Sequence, residues 1–253
     1  MSASVHVPVL LYHHVNGRPG ATTTHPSVFH AHLQWLADRG WRSMTLAEFE
    51  AAVAGRATLG PRRFLLTYDD GSPDLVLCAS QMRVFGFTGV AFLNTGRVQR
   101  EDPGCLSSAD ALLLAKQGTL EFQSHTHEHA RFDPSGDGLK KLAVSLSASR
   151  LWLEQALGLR QDAICHLAWP WGHCTPEMES MAREMGFGWQ YLVQRGMVTR
   201  TATPLRLPRL CVDGMSAAQF SNWMTLLSFR SGGELANLVF GSVRHIRHGM
   251  GYW

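Results

Sequence analysis

A chain of 253 residues with 45% apolar residues and a formal charge of +3 is long enough to bury a substantial core in one domain. Only 17% of its residues are charged, against about 25% in typical soluble domains, and no block of like charge stands out, which argues against a nucleic-acid partner. Five widely spaced Cys without a C-x-x-C argue against a zinc site built from cysteines, and neither a signal-type leader nor an apolar run near the roughly 20 residues of a membrane span is visible, so a cytoplasmic protein with reduced thiols is expected.

The first element is a strand over 7–12, Val7-Pro8-Val9-Leu10-Leu11-Tyr12, which ends in the pair His13-His14. Alternation along a strand sends those two rings to opposite faces. A helix over 27–39 follows. The segment Arg63-Phe64-Leu65-Leu66-Thr67-Tyr68 is apolar without alternation, as in a strand buried on both faces. Asp69 and Asp70 stand at its C-terminal end, followed by the permissive Gly71. Two adjacent carboxylates there can take different tasks around one cavity, one holding a cation and the other a proton. Read alone, Asp69-Asp70-Gly71-Ser72-Pro73-Asp74 is better taken as a turn with a helix N-cap.

A helix over 74–85, a strand over 89–94, a helix over 107–116 and a strand over 119–123 come next, and the last leads into His125-Thr126-His127-Glu128-His129. On a helical turn, residues four apart lie about 5–6 Å from each other on one face. Both imidazoles of His125 and His129 would then reach one divalent ion, and two His plus one Asp leave a zinc position open for water or substrate. A helix over 139–157, a strand over 164–169, a helix over 175–185, strands near 189–193 and 207–212, and a helix over 216–228 complete the pattern. Strand followed by helix, repeated, implies a parallel sheet, and motifs at strand C-termini are what a barrel predicts.

Together these segments resemble the polysaccharide deacetylases of the NodB-homology type, carbohydrate esterase family 4, whose motifs T-F-D-D-G and H-S/T-x-x-H are met by Thr67-Tyr68-Asp69-Asp70-Gly71 and His125-Thr126-His127-Glu128-His129. The Tyr12-His13-His14-Val15 opening is similar to the permuted poly-N-acetylglucosamine deacetylase subgroup. The resemblance implies an α/β fold, a distorted (β/α) barrel of about seven parallel strands. It implies Asp69 as catalytic base, Asp70, His125 and His129 as ligands of one divalent metal (zinc, with cobalt or nickel as alternatives), and His13 as general acid with His14 as the fallback. The family's R-x-P-Y-G motif is met by Ala168-Trp169-Pro170-Trp171-Gly172, so the Arg that orients the base is absent. Trp171, Pro170 and Trp169 would form the substrate wall, with the Trp171 backbone N–H as oxyanion donor, and Arg209 of Leu207-Pro208-Arg209 would replace the missing guanidinium beside Asp69.

The activity implied is metal-dependent hydrolysis of the N-acetyl group of an amino sugar in a saccharide, a metal-activated water attacking the amide. A catalytically silent carbohydrate-binding relative, or a deacetylase or deformylase of a sugar nucleotide or lipid-linked sugar, are the alternatives. The domain is expected over 1–228. Residues 229–253, rich in Gly, Arg and aromatic side chains, are expected to form a C-terminal helix and basic tail, with a weak membrane-surface or protein contact as its sharper reading.

Overall fold

The computed structural model describes residues 5–200 and 202–228. The C-terminal helix and tail expected over 229–253 lie outside the described residues.

Seven strands carry the architecture: β1 (Val9–Tyr12), β2 (Arg63–Tyr68), β3 (Gly89–Leu93), β4 (Leu120–Ser124), β5 (His166–Ala168), β6 (Trp189–Tyr191) and β7 (Leu210–Cys211). They pair in the order β6-β5-β4-β3-β2-β1-β7, and every neighbour is parallel. A two-residue strand, Arg42–Ser43, adds beside β2. The sheet curls until its edges meet: Leu192 N–H donates to the Leu207 carbonyl at 2.9 Å and Leu207 N–H to that of Gln190 at 2.8 Å. The fold is the distorted seven-stranded (β/α) barrel expected from the sequence.

Each strand is apolar on both faces because each face meets a different core. In β2, Phe64, Leu66 and Tyr68 pack outward against helices, whereas Leu65 points into the barrel. In β3, Ala91 and Leu93 face outward, while Val90 and Phe92 face the lumen. This two-sided burial erases the alternation that a half-exposed strand would show. The outer layer is built from α1 (Pro26–Asp38), α3 (Leu75–Val84), α5 (Ser108–Gln117), α6 (Gly138–Leu157), α7 (Pro176–Glu184) and α8 (Ala217–Ser228).

One helix does not belong to that layer. α2 (Leu46–Val53) closes the N-terminal mouth of the barrel, burying Leu46, Phe49, Ala52 and Val53 in the lumen core with Val9, Leu65, Val90 and Phe92. Eight residues are marginal as an isolated helix, but each large apolar side chain buried contributes about 1.5–3 kcal/mol, enough to hold the plug. Thr45 and Glu48 cap each other's backbone N–H groups at its start. That T-x-x-E capping box is a sequence signature of a helix N-terminus, and α2 is the element the reading along the chain passed over. The short α4 (Thr95–Gln99) and the small strand pairs His14–Val15 with Thr23–Thr24 and His6–Val7 with Val198–Thr199 are likewise additions. No helix among the described residues is long and apolar enough to cross a membrane.

Candidate active site

The side chains of interest gather at the C-terminal mouth, opposite α2. Parity along β2 places the first of them. Leu65 faces the lumen and the Thr67 hydroxyl donates to the Leu10 carbonyl at 2.8 Å, so Asp69 continues on the inner face, 1% exposed. The chain then turns sharply. Asp70 and Gly71 both adopt positive φ (70° and 75°), and Gly71 N–H donates back to the Asp69 carbonyl at 2.9 Å. A left-handed Asp is tolerable because its short side chain suits that region. The turn separates the two carboxylates.

Asp70 Oδ1 lies 3.4 Å from His125 Nε2 and 3.2 Å from His129 Nε2. The two imidazoles do not share a helical turn, contrary to the expectation from their spacing. Residues 125–129 form an irregular loop with Thr126 at φ 65°, pinned by its backbone. His125 N–H donates to the Leu93 carbonyl, Gly96 N–H to the His127 carbonyl, and the Ser145 hydroxyl accepts from both His127 and Glu128 N–H at 3.0 Å. Gly96 is required there, since a Cβ would collide with the His127 carbonyl. His125 Nδ1 donates to the Ala168 carbonyl at 2.8 Å, which leaves Nε2 as the free-electron-pair nitrogen facing Asp70. Three donors of carboxylate and imidazole type, converging within 4.8 Å, fit a zinc-like divalent ion with a position left open.

Asp69 has a different partner. Arg209, fully buried, meets it with two parallel bonds, Nη1 to Oδ1 and Nη2 to Oδ2, each 2.7 Å. The guanidinium is held by Nε donating to the Leu192 carbonyl at 3.2 Å and lies over the Phe92 and Tyr191 rings. Burial pushes the Asp69 carboxyl up, but Arg209 first, then His125 and His13, outweigh it and hold the group below the usual carboxylate range. At the motif position where an Arg was missing, Ala168 is buried in the lumen core. Asp70 is also held low: burial opposes its charge, and the adjacent His125 and His129 imidazoles overcome that.

His13 Nδ1 donates to Asp213 Oδ2 at 2.6 Å, and its backbone N–H to Oδ1 at 3.2 Å. Burial alone would lower its pKa; the bond to Asp213, helped by Cys211 and the nearby Asp69 charge, raises it to about 11. His14 points elsewhere, to the Ser72 hydroxyl at 3.2 Å and Asp74 at 3.8 Å. Asp213 was not singled out from sequence, although it follows a strand end in Leu210-Cys211-Val212-Asp213, as Asp69 does.

The proposed substrate wall needs correction. Trp169 is fully buried, its indole N–H donating to Gln190 Oε1 at 3.0 Å, and Pro170 is buried beside it, so neither presents a face to a sugar. Trp169 packs into the outer core between sheet and helices, and only the residue after Pro170 emerges. Trp171 does, 47% exposed, at φ 60° with its ring 4.9 Å from that of His129.

The fold has solved counterparts. A deacetylase from Streptococcus pyogenes, PplD, solved in complex with acetate, superposes with a TM-score of 0.78 at 18% identity, covering 87% of this chain and 98% of that one. IcaB from Ammonifex degensii gives 0.77 at 22% identity, over 86% and 96%. This is the fold of the NodB-type polysaccharide deacetylases. A de-N-acetylase from Aggregatibacter actinomycetemcomitans shares the deacetylase fold with a TM-score of 0.73 at 16% identity, over 84% and 97%. Among curated sequences the provisionally named polysaccharide deacetylase YxkH of Bacillus subtilis (strain 168) is 22% identical over 221 residues, 86% of this chain and 76% of that protein. No family model matches the chain. The deacetylase fold is therefore carried on a sequence only 16–22% identical to these relatives.

Proposed function

We propose that this protein is a metal-dependent hydrolase that removes N-acetyl groups from an N-acetylated amino sugar in a saccharide. The observation that carries the reading is the division of labour at the mouth: Asp70, His125 and His129 converge on one point, while Asp69 beside them is turned to Arg209 and His13 to Asp213. A structural metal site has no use for a neighbouring carboxylate and imidazole that each have their own buried partner.

Asp70 Oδ1, His125 Nε2 and His129 Nε2 would hold one divalent ion, zinc by donor type. Such an ion, when bound, polarises a carbonyl oxygen and lowers the pKa of water toward about 7. Asp69 is ionised and cannot rotate away from Arg209. Its Oδ2, 4.0 Å from His125 Nε2, accepts the proton of the attacking water. The Trp171 backbone N–H donates to the oxyanion, and its exposed indole forms the wall of the sugar subsite. His13 holds its proton through neutral pH because Asp213 stabilises the imidazolium, and gives it from Nε2 to the departing nitrogen. Amide and water become the sugar amine and acetate.

The test is acetate release from N-acetylglucosamine oligomers and from UDP-N-acetylglucosamine, with zinc, cobalt and nickel content measured on the same preparations and His125→Ala as control. His125-dependent release establishes the hydrolase and separates polymer from nucleotide substrates. Release that persists in His125→Ala, or none from any N-acetyl sugar by metal-loaded protein, overturns the reading.

A further inference from the structure

A second group of ligand-type side chains lies at the other end of the barrel, unused by the chemistry above. Glu50 on α2, Cys165 just before β5 and His166 at its first position bring a carboxylate oxygen, a thiol sulfur and an imidazole nitrogen within 4.8 Å of one another. We infer that Glu50, Cys165 and His166 form a zinc site that ties the α2 plug to the sheet.

The positions are built rather than accidental. His166 is fully buried, and its ring is fixed on three sides: Nδ1 bonds the Tyr191 hydroxyl at 2.9 Å, and the Trp189 and Tyr191 rings stack on it with centroids 5.7 and 5.8 Å away. That leaves Nε2 aimed at Glu50 Oε1, 2.8 Å away. An imidazole oriented through its far nitrogen by a hydroxyl is the outer-shell arrangement that metal-binding histidines share. A Glu–His hydrogen bond accounts for two of the three groups, but not for the thiol. Cys165 Sγ stands 3.9 Å from the same Oε1, long for a hydrogen bond and close to the separation of two ligands on one tetrahedral ion. Glu50 is 27% exposed in its side chain and Cys165 is half-buried, so the fourth position opens to water.

Thiolate, imidazole and carboxylate together select zinc over magnesium, calcium or manganese. On binding, the Cys165 thiol releases its proton to solvent, and the His166 proton moves from Nε2 to Nδ1, where the Tyr191 oxygen accepts as readily as it donates. Because the ligands come from α2 and from the start of β5, the ion binds the folded chain and not the unfolded one, and so stabilises the plug.

The experiment uses the full chain carrying His125→Ala, which empties the mouth of its own metal, loaded with cobalt and then zinc. Expected are one bound ion per chain and the near-ultraviolet absorption of thiolate-to-cobalt charge transfer. Both are lost on adding Cys165→Ser and kept on adding Cys211→Ser, the thiol near His13. Zinc should raise the melting temperature of the His125→Ala protein and leave that of the Cys165→Ser double variant unchanged. Absence of the thiolate band in folded His125→Ala protein, or its survival in Cys165→Ser, overturns the assignment. Should Cys165→Ser fold poorly, Glu50→Gln, at the half-exposed ligand, must weaken cobalt binding at least tenfold. A mouth that proves metal-free leaves this result standing, since the band reports the Cys165 sulfur alone.

Discussion

Arg209 and Asp69 are 140 positions apart in the chain and meet in two parallel 2.7 Å bonds, the guanidinium fully buried and the carboxylate nearly so. Neither would be tolerable alone. A buried ion pair with one partner removed leaves an uncompensated charge that costs about 3–5 kcal/mol. Arg209→Met should therefore lower stability by about that amount in urea unfolding and abolish turnover with it. Arg209→Lys restores the charge but not the fork, and should recover folding ahead of activity. A Lys variant with wild-type kcat would show that the bidentate geometry plays no part in orienting Asp69.

Asp69→Asn separates the base from the metal ligands. Asparagine keeps the shape and loses the proton acceptor, so kcat should fall by roughly 10²–10⁴-fold, the usual contribution of a general base. Zinc content should stay that of the wild type, because Asp70, His125 and His129 are untouched. Loss of metal would contradict the division between the two neighbouring carboxylates.

The His13–Asp213 pair makes a prediction with a sign. The His13 pKa is raised from 6.5 to about 11. A raised folded-state value means that the pair's stabilisation is fully present below about pH 6.5 and is lost as pH rises toward 11. The stability advantage of wild type over Asp213→Asn should thus be largest at pH 6 and shrink steadily through pH 9.5. In the same variant the alkaline limb of kcat/KM should move to lower pH. A pH-independent difference would remove Asp213 as the group that keeps His13 charged.

His32 behaves in the opposite way. Its Nδ1 shares a hydrogen bond with the Tyr12 hydroxyl at 2.9 Å, and the ring stacks on Phe220 of α8 with centroids 4.1 Å apart. Burial pushes its pKa from 6.5 down to about 4, against smaller contributions from the Ser216 and Met215 backbone. The unfolded chain therefore takes up this proton first, and stability should decline as pH falls from 6.5 toward 4. His32→Gln should flatten that part of the pH–stability curve; an unchanged slope would show that the decline arises elsewhere.

The strands, the outer helices and the positions of Asp69, Asp70, His125 and His129 were legible because they depend on local signals. Apolar runs such as Phe64-Leu65-Leu66 announce a strand buried on both faces, and a carboxylate pair or a His pair at a strand's end is visible in a few residues. The α2 plug was missed although Thr45-Leu46-Ala47-Glu48 carries a capping box, since its apolar face meets the barrel interior and only the closed barrel supplies that partner. Trp169 and Trp171, two residues apart in one motif, could not be told apart in sequence. The φ of 60° at Trp171 turns it outward while Trp169 stays in the wall.

By itself, then, the sequence determined the kinds of groups present and the strand ends they occupy, because short-range pattern and residue chemistry are local properties. Only the tertiary structure decided which groups meet. Closure of the sheet between Gln190–Leu192 and Leu207 carries Arg209 to Asp69 and Asp213 to His13, and it lays α2 against β5 so that Glu50 faces His166. Those pairings join residues up to 200 positions apart, and the curvature of the whole sheet, which no local window of sequence contains, sets their distances.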